Sequence, residues 1–372
     1  MKFSVTKDSL LDALKLTSMI CGANKTFEIL KSCLIHAYKG IISITAVNLE
    51  TVSIRIFFDS DEVEEEGSVL VDARHLKSVI SDLKTESAIL FETTDKSTSL
   101  NISTQHNKIS IPKYDISEFP EIDFTPNGGE TCFEVSALEL KTALRSTMHT
   151  VSSDDSRVEF TCSLLRFSDK LSVTSTDGHR LSHYVFTNEI SGNGSDENCD
   201  LLIPVPTQKL LLEILADSGN ITFQVRNNIA LIDYGNMMIR VTGVNGGFPD
   251  FSKVMPESFS YSCSAGKEDL LNAAILLKNF SPKSDVSRFE FGKSKLVLSA
   301  ECDAKGSVTS SVNLASEGDS RVVGMNIVYL KESLQAIAED QVQIKLVDSD
   351  SPVLIKGMDN ENLKQIIMPM QI

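Results

Sequence analysis

Over most of the chain apolar and polar residues alternate for several positions at a time, the pattern of strands with one buried face. Segments 52–58, 102–111, 171–175, 229–241 and 296–300 read this way. Two stretches switch to helical spacing, one through Leu10, Leu11, Leu14 and Leu16, the other through Leu76, Val79, Ile80 and Leu83.

The pattern also recurs. Strand-like ISITAVN, LSVTSTD and LVLSAEC begin at Ile42, Leu171 and Leu296, at offsets of 129 and 125 positions, close to a third of the 372 residues. A strand running into a helix recurs at Phe3, Phe133 and Tyr261, and a further helix follows at Val71, Ile203 and Met325. EFPEIDF at Glu118 and GFPDFSK at Gly247 close the first two copies with the same aromatic-proline turn. The chain reads as a triplicate. In each copy two helices need a sheet face to cover their apolar stripes. The expected class is α+β, with three tandem similar domains, each of two helices packed on antiparallel sheets, at 1–124, 125–252 and 253–372.

Composition adds less. Apolar residues make up 41% and charged residues 23%, the balance of a globular protein. Apolar runs such as 201–206 and 273–277 fall far short of the roughly 20 residues of a membrane helix, and the start MKFSVTKDSLL has no apolar signal core. A cytoplasmic location without membrane association is expected. Cys21, Cys33, Cys132, Cys162, Cys199, Cys263 and Cys302 are scattered singly and read as free thiols. The net charge of −16 argues against a broad basic surface. Basic residues nevertheless gather on the helices, while the densest acidic run, DSDEVEEE from Asp59, lies between strands. Two readings of these cations stand: side chains that simply face water, or one side of the molecule that meets a polyanion.

TSTDGHRLSHY, residues 174–184, collects a carboxylate, imidazoles and a guanidinium in one short run. Catalysis needs a nucleophile, base and orienting group within hydrogen-bond reach, and no serine or cysteine motif accompanies Asp177 and His179. His179 and His183 have the spacing of a helical metal pair, but on a turn and strand they stand roughly 13 Å apart. GxxxxGK[ST], GxGxxG and HExxH are all missing from the sequence. No catalytic residue, cofactor or metal is assigned.

The three two-helix units, TDGHRL in the second, GFPD at the second boundary and the terminal IIMPMQI together resemble the bacterial DNA polymerase III beta subunit, the sliding clamp, over the whole chain. The resemblance implies the DNA clamp fold as a ring-shaped head-to-tail homodimer that encircles duplex DNA without sequence readout. It also implies a non-catalytic processivity factor that tethers the polymerase III alpha subunit, the clamp loader, other polymerases and repair proteins through a hydrophobic cleft for short peptides. The implied cleft residues are Thr176, Gly178, His179, Arg180 and Leu181, then Pro249, Lys253 and Val254, Asn326 and Tyr329, and Ile366, Met368, Pro369 and Met370. Lys25, Arg74 and Lys209 would face DNA. Ile109 and Ile111 on an edge strand would meet Ile275 and Leu276 of a partner.

Some residues depart from the family pattern. Asp154 and Asp155 stand where a polar DNA contact is expected, Lys253 and Gln371 replace common arginines, and the loop DSDSP at 348–352 is more acidic and stiffer than expected. Apart from the resemblance, Met368 and Met370 suit a pocket that moulds to varied anchors, and equally an ordinary core. Arg180 can equally be a surface ion-pair partner. The alternative function is a clamp-fold interaction scaffold that is not loaded on DNA.

Overall fold

The computed structural model describes residues 1–21, 27–60, 62–84, 88–125, 131–189, 191–193 and 199–372. Lys25, expected to face DNA, lies outside the described residues. Six α-helices occur among them: α1 (Lys7–Cys21), α2 (Ala73–Asp82), α3 (Ala137–Thr147), α4 (Val205–Ile214), α5 (Lys267–Lys278) and α6 (Ile327–Ala336). They fall where the helical spacing and the strand-to-helix transitions predict. None is long and apolar enough to cross a membrane.

Each second helix starts from local chemistry. Asp72 caps α2 by accepting a hydrogen bond from His75 N at 2.7 Å, and Asn326 caps α6 by accepting from Val328 N at 2.9 Å and Tyr329 N at 3.2 Å. In α4 Pro206 occupies the first turn, where its missing N–H leaves no helical bond unmade.

The chain forms two compact units. One comprises residues 1–137, 191–194 and 209–243, and the other 138–190, 195–208 and 244–372. Unit 1 carries a nine-stranded antiparallel sheet in which Val52–Asp59 pairs with Met237–Thr242. The nine-stranded sheet of unit 2 has the same strand sequence, with Arg180–Val185 paired to Leu363–Ile367. The compact units therefore do not follow the thirds of the sequence: each half of the middle repeat is continuous, strand by strand, with a different flanking repeat. Unit 1 adds a five-stranded sheet and unit 2 a four-stranded one. α1 packs on α2, and α5 on α6, burying Leu10, Leu14, Leu76 and Ile80 in one unit and Leu270, Leu330 and Leu334 in the other.

Two alternating segments read as single strands are hairpins. Segment 102–111 breaks at a polar turn where Thr104 N donates to Asn107 O at 2.9 Å, and its second strand is Lys108–Pro112. Segment 229–241 breaks at Gly235, whose φ of +62° supplies the left-handed turn. Alternation carries through a tight hairpin because the polar turn residues keep the two-residue period.

Candidate functional site

The TDGHRL run is a tight turn between strands Leu171–Thr176 and Arg180–Val185. Thr176 Oγ1 donates to Arg180 O at 2.7 Å and accepts from Gly178 N at 3.1 Å, while Asp177 Oδ1 accepts from the amides of His179 (2.9 Å) and Arg180 (3.0 Å). Gly178 has a φ of +86°, and an added Cβ would meet only Phe160, at 3.5 Å. Backbone conformation, more than crowding, thus requires glycine there.

Arg180 is the hub of this turn. Its Nε donates to Asp177 Oδ2 at 2.9 Å, one terminal nitrogen pairs with Glu332 of α6, and the other donates to His149 O at 2.7 Å. The guanidinium lies 4.3 Å from the ring centroid of Tyr329, and the side chain is only 10% exposed. Arg180 is therefore neither a free contact nor a surface ion pair: it locks turn, helix and aromatic ring into one body. Burial, then the Asp177 charge, raises the Tyr329 phenol pKa.

Beside this hub the outer face of the unit 2 sheet is apolar. Leu181 pairs with Ile366, which pairs with Leu354, and these three buried residues form one cluster. Phe251, Val254, Phe259 and Met368 pack on them, half-buried. Segment 247–254 crosses this face, its short 3₁₀ turn Phe251–Val254 capped by Asp250, which accepts from Ser252 N at 3.2 Å and is held below the usual carboxylate range by the Ser252 hydroxyl. His183 sits under Phe251 at 5.1 Å and bonds Thr174 Oγ1 at 2.8 Å; burial, then Lys364 and Arg166, lowers its pKa to about 4. His149 is lowered to about 4 by burial and then by Arg180.

The terminal run is pinned by its backbone. Met368 N donates to His179 O at 2.9 Å, and Met370 N donates to Gly324 O at 2.8 Å. A Cβ on Gly324 would lie 2.3 Å from Met370 O, so this close approach excludes any other residue. Pro369 interrupts the strand between those contacts, and the bridge at Met370 is isolated. Met368 and Pro369 are half-buried and Met370 is 37% exposed.

The residues expected in the cleft thus gather on one side of unit 2, with unequal parts. Leu181 and Ile366 form the floor, and Val254 and Met368 the walls. Arg180, Thr176 and Asn326 hold the frame with their side-chain bonds occupied. His179, Pro249 and Lys253 are exposed at the edge, Lys253 lying 3.4 Å from Asp250. Phe251, Phe259, Leu354 and Gly324 belong to the same surface and escape motif reading. The repeated aromatic in GFPDF is the only sequence signal for Phe251. The acidic loop at 348–352 leads into strand Val353–Gly357, and Val353 pairs with Ile367, one residue before Met368. No cluster of metal-binding side chains occurs among the described residues.

The other expected surfaces are mixed. Arg74 on α2 and Lys209 on α4 are exposed. Asp154 and Asp155 are exposed, and Asp154 Oδ1 accepts from Ser156 N at 2.9 Å, which holds its carboxylate below the usual range. Ile275 and Leu276 are 53% and 45% exposed on α5. Lys108–Pro112 is the last strand of its sheet, as expected, but Ile111 is 2% exposed and Ile109 half-buried. Both point to the core side, because the outward positions of this strand are Lys108, Ser110 and Pro112. In the single chain this edge therefore offers backbone groups and part of Ile109, while Ile111 is covered.

Comparisons with known proteins agree with this architecture. Residues 1–123, 134–250 and 252–371 match the N-terminal, central and C-terminal domain models of the DNA polymerase III beta subunit. The beta sliding clamp of Staphylococcus epidermidis is 24% identical over 384 aligned residues, covering 100% of this chain and 99% of that protein. That of Pseudomonas putida is 23% identical over 377, covering both fully. The fold matches the crystal structure of the DNA polymerase III subunit beta from Pseudomonas aeruginosa with a TM-score of 0.93 at 22% identity, over 100% of each chain. A clamp from the same organism bound to griselimycin matches equally, with the same identity and coverage. Three tandem domains of the DNA polymerase III beta subunit, matched along the chain, define a polymerase accessory protein. The chain belongs to the DNA polymerase III beta subunit family, the bacterial sliding clamps, and is a non-catalytic processivity factor.

Proposed function

We propose that the chain acts as a ring-shaped head-to-tail homodimer in the cytoplasm, encircling duplex DNA and tethering partners through the groove of unit 2. The domains are 1–124, 125–252 and 253–372, in keeping with the matched spans. Retention is topological. Arg74 and Lys209 make only loose phosphate contacts, which leaves the ring free to slide, since each tight phosphate contact would steepen the salt dependence and hold the ring in place. Ile275 and Leu276 of one subunit pack beside the open edge at Lys108–Pro112 of the other, which satisfies backbone groups that an isolated edge leaves unpaired.

The observation that carries the partner-binding reading is the apolar floor of Leu181, Leu354 and Ile366, walled by Met368 on a backbone-pinned terminal run. A short peptide with leucine and phenylalanine anchors, from the polymerase alpha subunit, the clamp loader or a repair protein, fits that surface. Fluorescence polarisation with a labelled Gln-Leu-x-Leu-Phe peptide tests it on the intact chain and on one truncated after Ile367. Micromolar binding, about −8 kcal/mol, is expected for the former and none for the latter; equal binding by both sinks the assignment.

The scaffold alternative has one observation in its favour, the exposed Asp154–Asp155 pair. Charge removal at Lys25, Arg74 and Lys209 together separates the two readings. A clamp loses polymerase processivity, and a scaffold keeps its peptide binding with processivity unchanged.

A further inference from the structure

Unit 1 carries the same sheet as unit 2, and segment 116–125 crosses its outer face as 247–254 crosses the other. Beneath this strap lie a pocket of about 300 Å³ and an adjoining depression of about 1010 Å³, which share Glu121, Ile122 and Asp123. The register assigns equivalents across the two units. The row Leu231, Arg240 and Ser53 occupies the positions of Leu354, Ile366 and Leu181. Arg55 replaces His183, and each bonds the matching threonine of its hairpin, Arg55 Nε to Thr45 Oγ1 at 3.1 Å. The apolar floor has become a basic one.

Neither cation has a carboxylate in direct ion-pair contact among the described residues, and Asp123 acts on both only from a distance. Arg55 is half-buried, its guanidinium 4.7 Å from the centroid of Phe124, and it makes no ion pair among the described residues. Arg240 is also half-buried and spends one nitrogen on Thr242 Oγ1 at 3.3 Å, again with no carboxylate at ion-pair distance among the described residues. The nearby Asp123 is committed to the hydroxyl and amide of Thr125, at 2.5 and 2.8 Å. In the pocket wall Gln224 Oε1 is buried with no hydrogen-bond partner. Partly desolvated guanidinium groups and an orphan carbonyl are costly unless a ligand completes them. The required ligand offers an anion to the arginines and an N–H to Gln224. Ile122, Ile229 and Leu231, each half-buried, add apolar surface.

We propose that this groove is a second binding site, for a short acidic peptide whose carboxylates pair with Arg240 and Arg55 and whose backbone N–H reaches Gln224. Arg55 and Arg240 are diagonal neighbours on paired strands, roughly 7–8 Å apart at the backbone, so acidic residues at alternate positions of one extended segment, which share a face about 7 Å apart, span both. A phosphate polymer fits less well, because it would leave the apolar side chains Ile122, Ile229 and Leu231 uncovered. The site stands on unit 1 alone and does not depend on the peptide reading of unit 2.

The test is fluorescence anisotropy with fluorescein-labelled Asp-Leu-Asp-Leu-Asp, titrated with the full chain at low salt. Saturable binding is expected, weakened at least tenfold by Arg240→Gln, retained within threefold by Arg240→Lys, and abolished when the aspartates are replaced by asparagines. Thr125→Glu, an exposed rim position that leaves the core untouched, weakens it about fivefold. Truncation after Ile367 changes nothing. No saturable binding, indifference to Arg240→Gln and Thr125→Glu, or displacement by a single-stranded oligonucleotide at equal concentration overturns the proposal. Loss on truncation assigns the peptide to unit 2 and overturns it as well.

Discussion

The two nine-stranded sheets share strand sequence, a crossing strap and a threonine-anchored hairpin, yet their outer faces carry opposite chemistry. In unit 2 the central row is Leu354, Ile366 and Leu181; in unit 1 it is Leu231, Arg240 and Ser53. The backbone sets where a groove forms, and a few outward side chains set what it accepts. Unit 2 also has what unit 1 lacks, an end of chain laid over the groove and pinned at His179 and Gly324.

The sharpest way to break the comparison is to exchange those rows. Ile366→Arg buries an unpaired charge at a position 1% exposed and should cost about 4 kcal/mol in urea unfolding. Arg240→Ile, at the equivalent site, should stay within about 1 kcal/mol. Similar losses for both would mean that the faces are not distinct.

Next in size is Arg180→Ala, which strips Glu332 and Asp177 of their partner and frees the Tyr329 ring. About 3 kcal/mol of stability should go, with at least a tenfold loss of peptide affinity in the polarisation assay. Arg180→Lys should rescue little, since a point charge cannot serve three directions.

Acid sharpens the contrast further. His183 and His149 stay neutral in the folded chain down to about pH 4, whereas unfolded imidazoles protonate near 6.5. Between those values the unfolded chain binds more protons, so stability is complete above about pH 6.5 and falls as pH drops towards 4, by about 3 kcal/mol per histidine. Melting temperature against pH should show this slope, and His183→Gln should remove about half of it. Arg55, in the matching place in unit 1, does not titrate in that window.

The smallest effect is expected from Lys253→Arg. The lysine side chain is 79% exposed and, among the described residues, paired only with Asp250, so peptide affinity should change less than threefold. A larger gain would move that residue from the rim into the groove.

Much of this architecture was legible in the sequence, because it is local and repeated. Strand-to-helix transitions at Phe3, Phe133 and Tyr261 and the glycine turn of TDGHRL depend on neighbours within a few positions. What escaped depends on partners far along the chain. No periodicity announces that Val52–Asp59 pairs with Met237–Thr242, or that Ile111 faces inward on an edge strand. Gly324 looks like any strand glycine until Met370 is laid against it. Arg180 reads as a cleft residue by the resemblance and otherwise as a surface ion-pair partner, and only α6 and His149 arriving on either side make it a hub.

The pairing of Val52–Asp59 with Met237–Thr242 also bears on how the molecule is made. Ile54 emerges from the ribosome roughly 180 residues before its partner Ile239, an interval of about ten to forty seconds at ordinary translation rates. Through that interval the first repeat holds an unsatisfied strand edge, and the middle repeat later waits in the same way for Leu363–Ile367. Assembly is thus a relay, in which each repeat is finished by strands synthesised long after its own. A ribosome stalled near residue 200 should present a protease-sensitive first repeat, and completion of the final strand should close the last edge of the second.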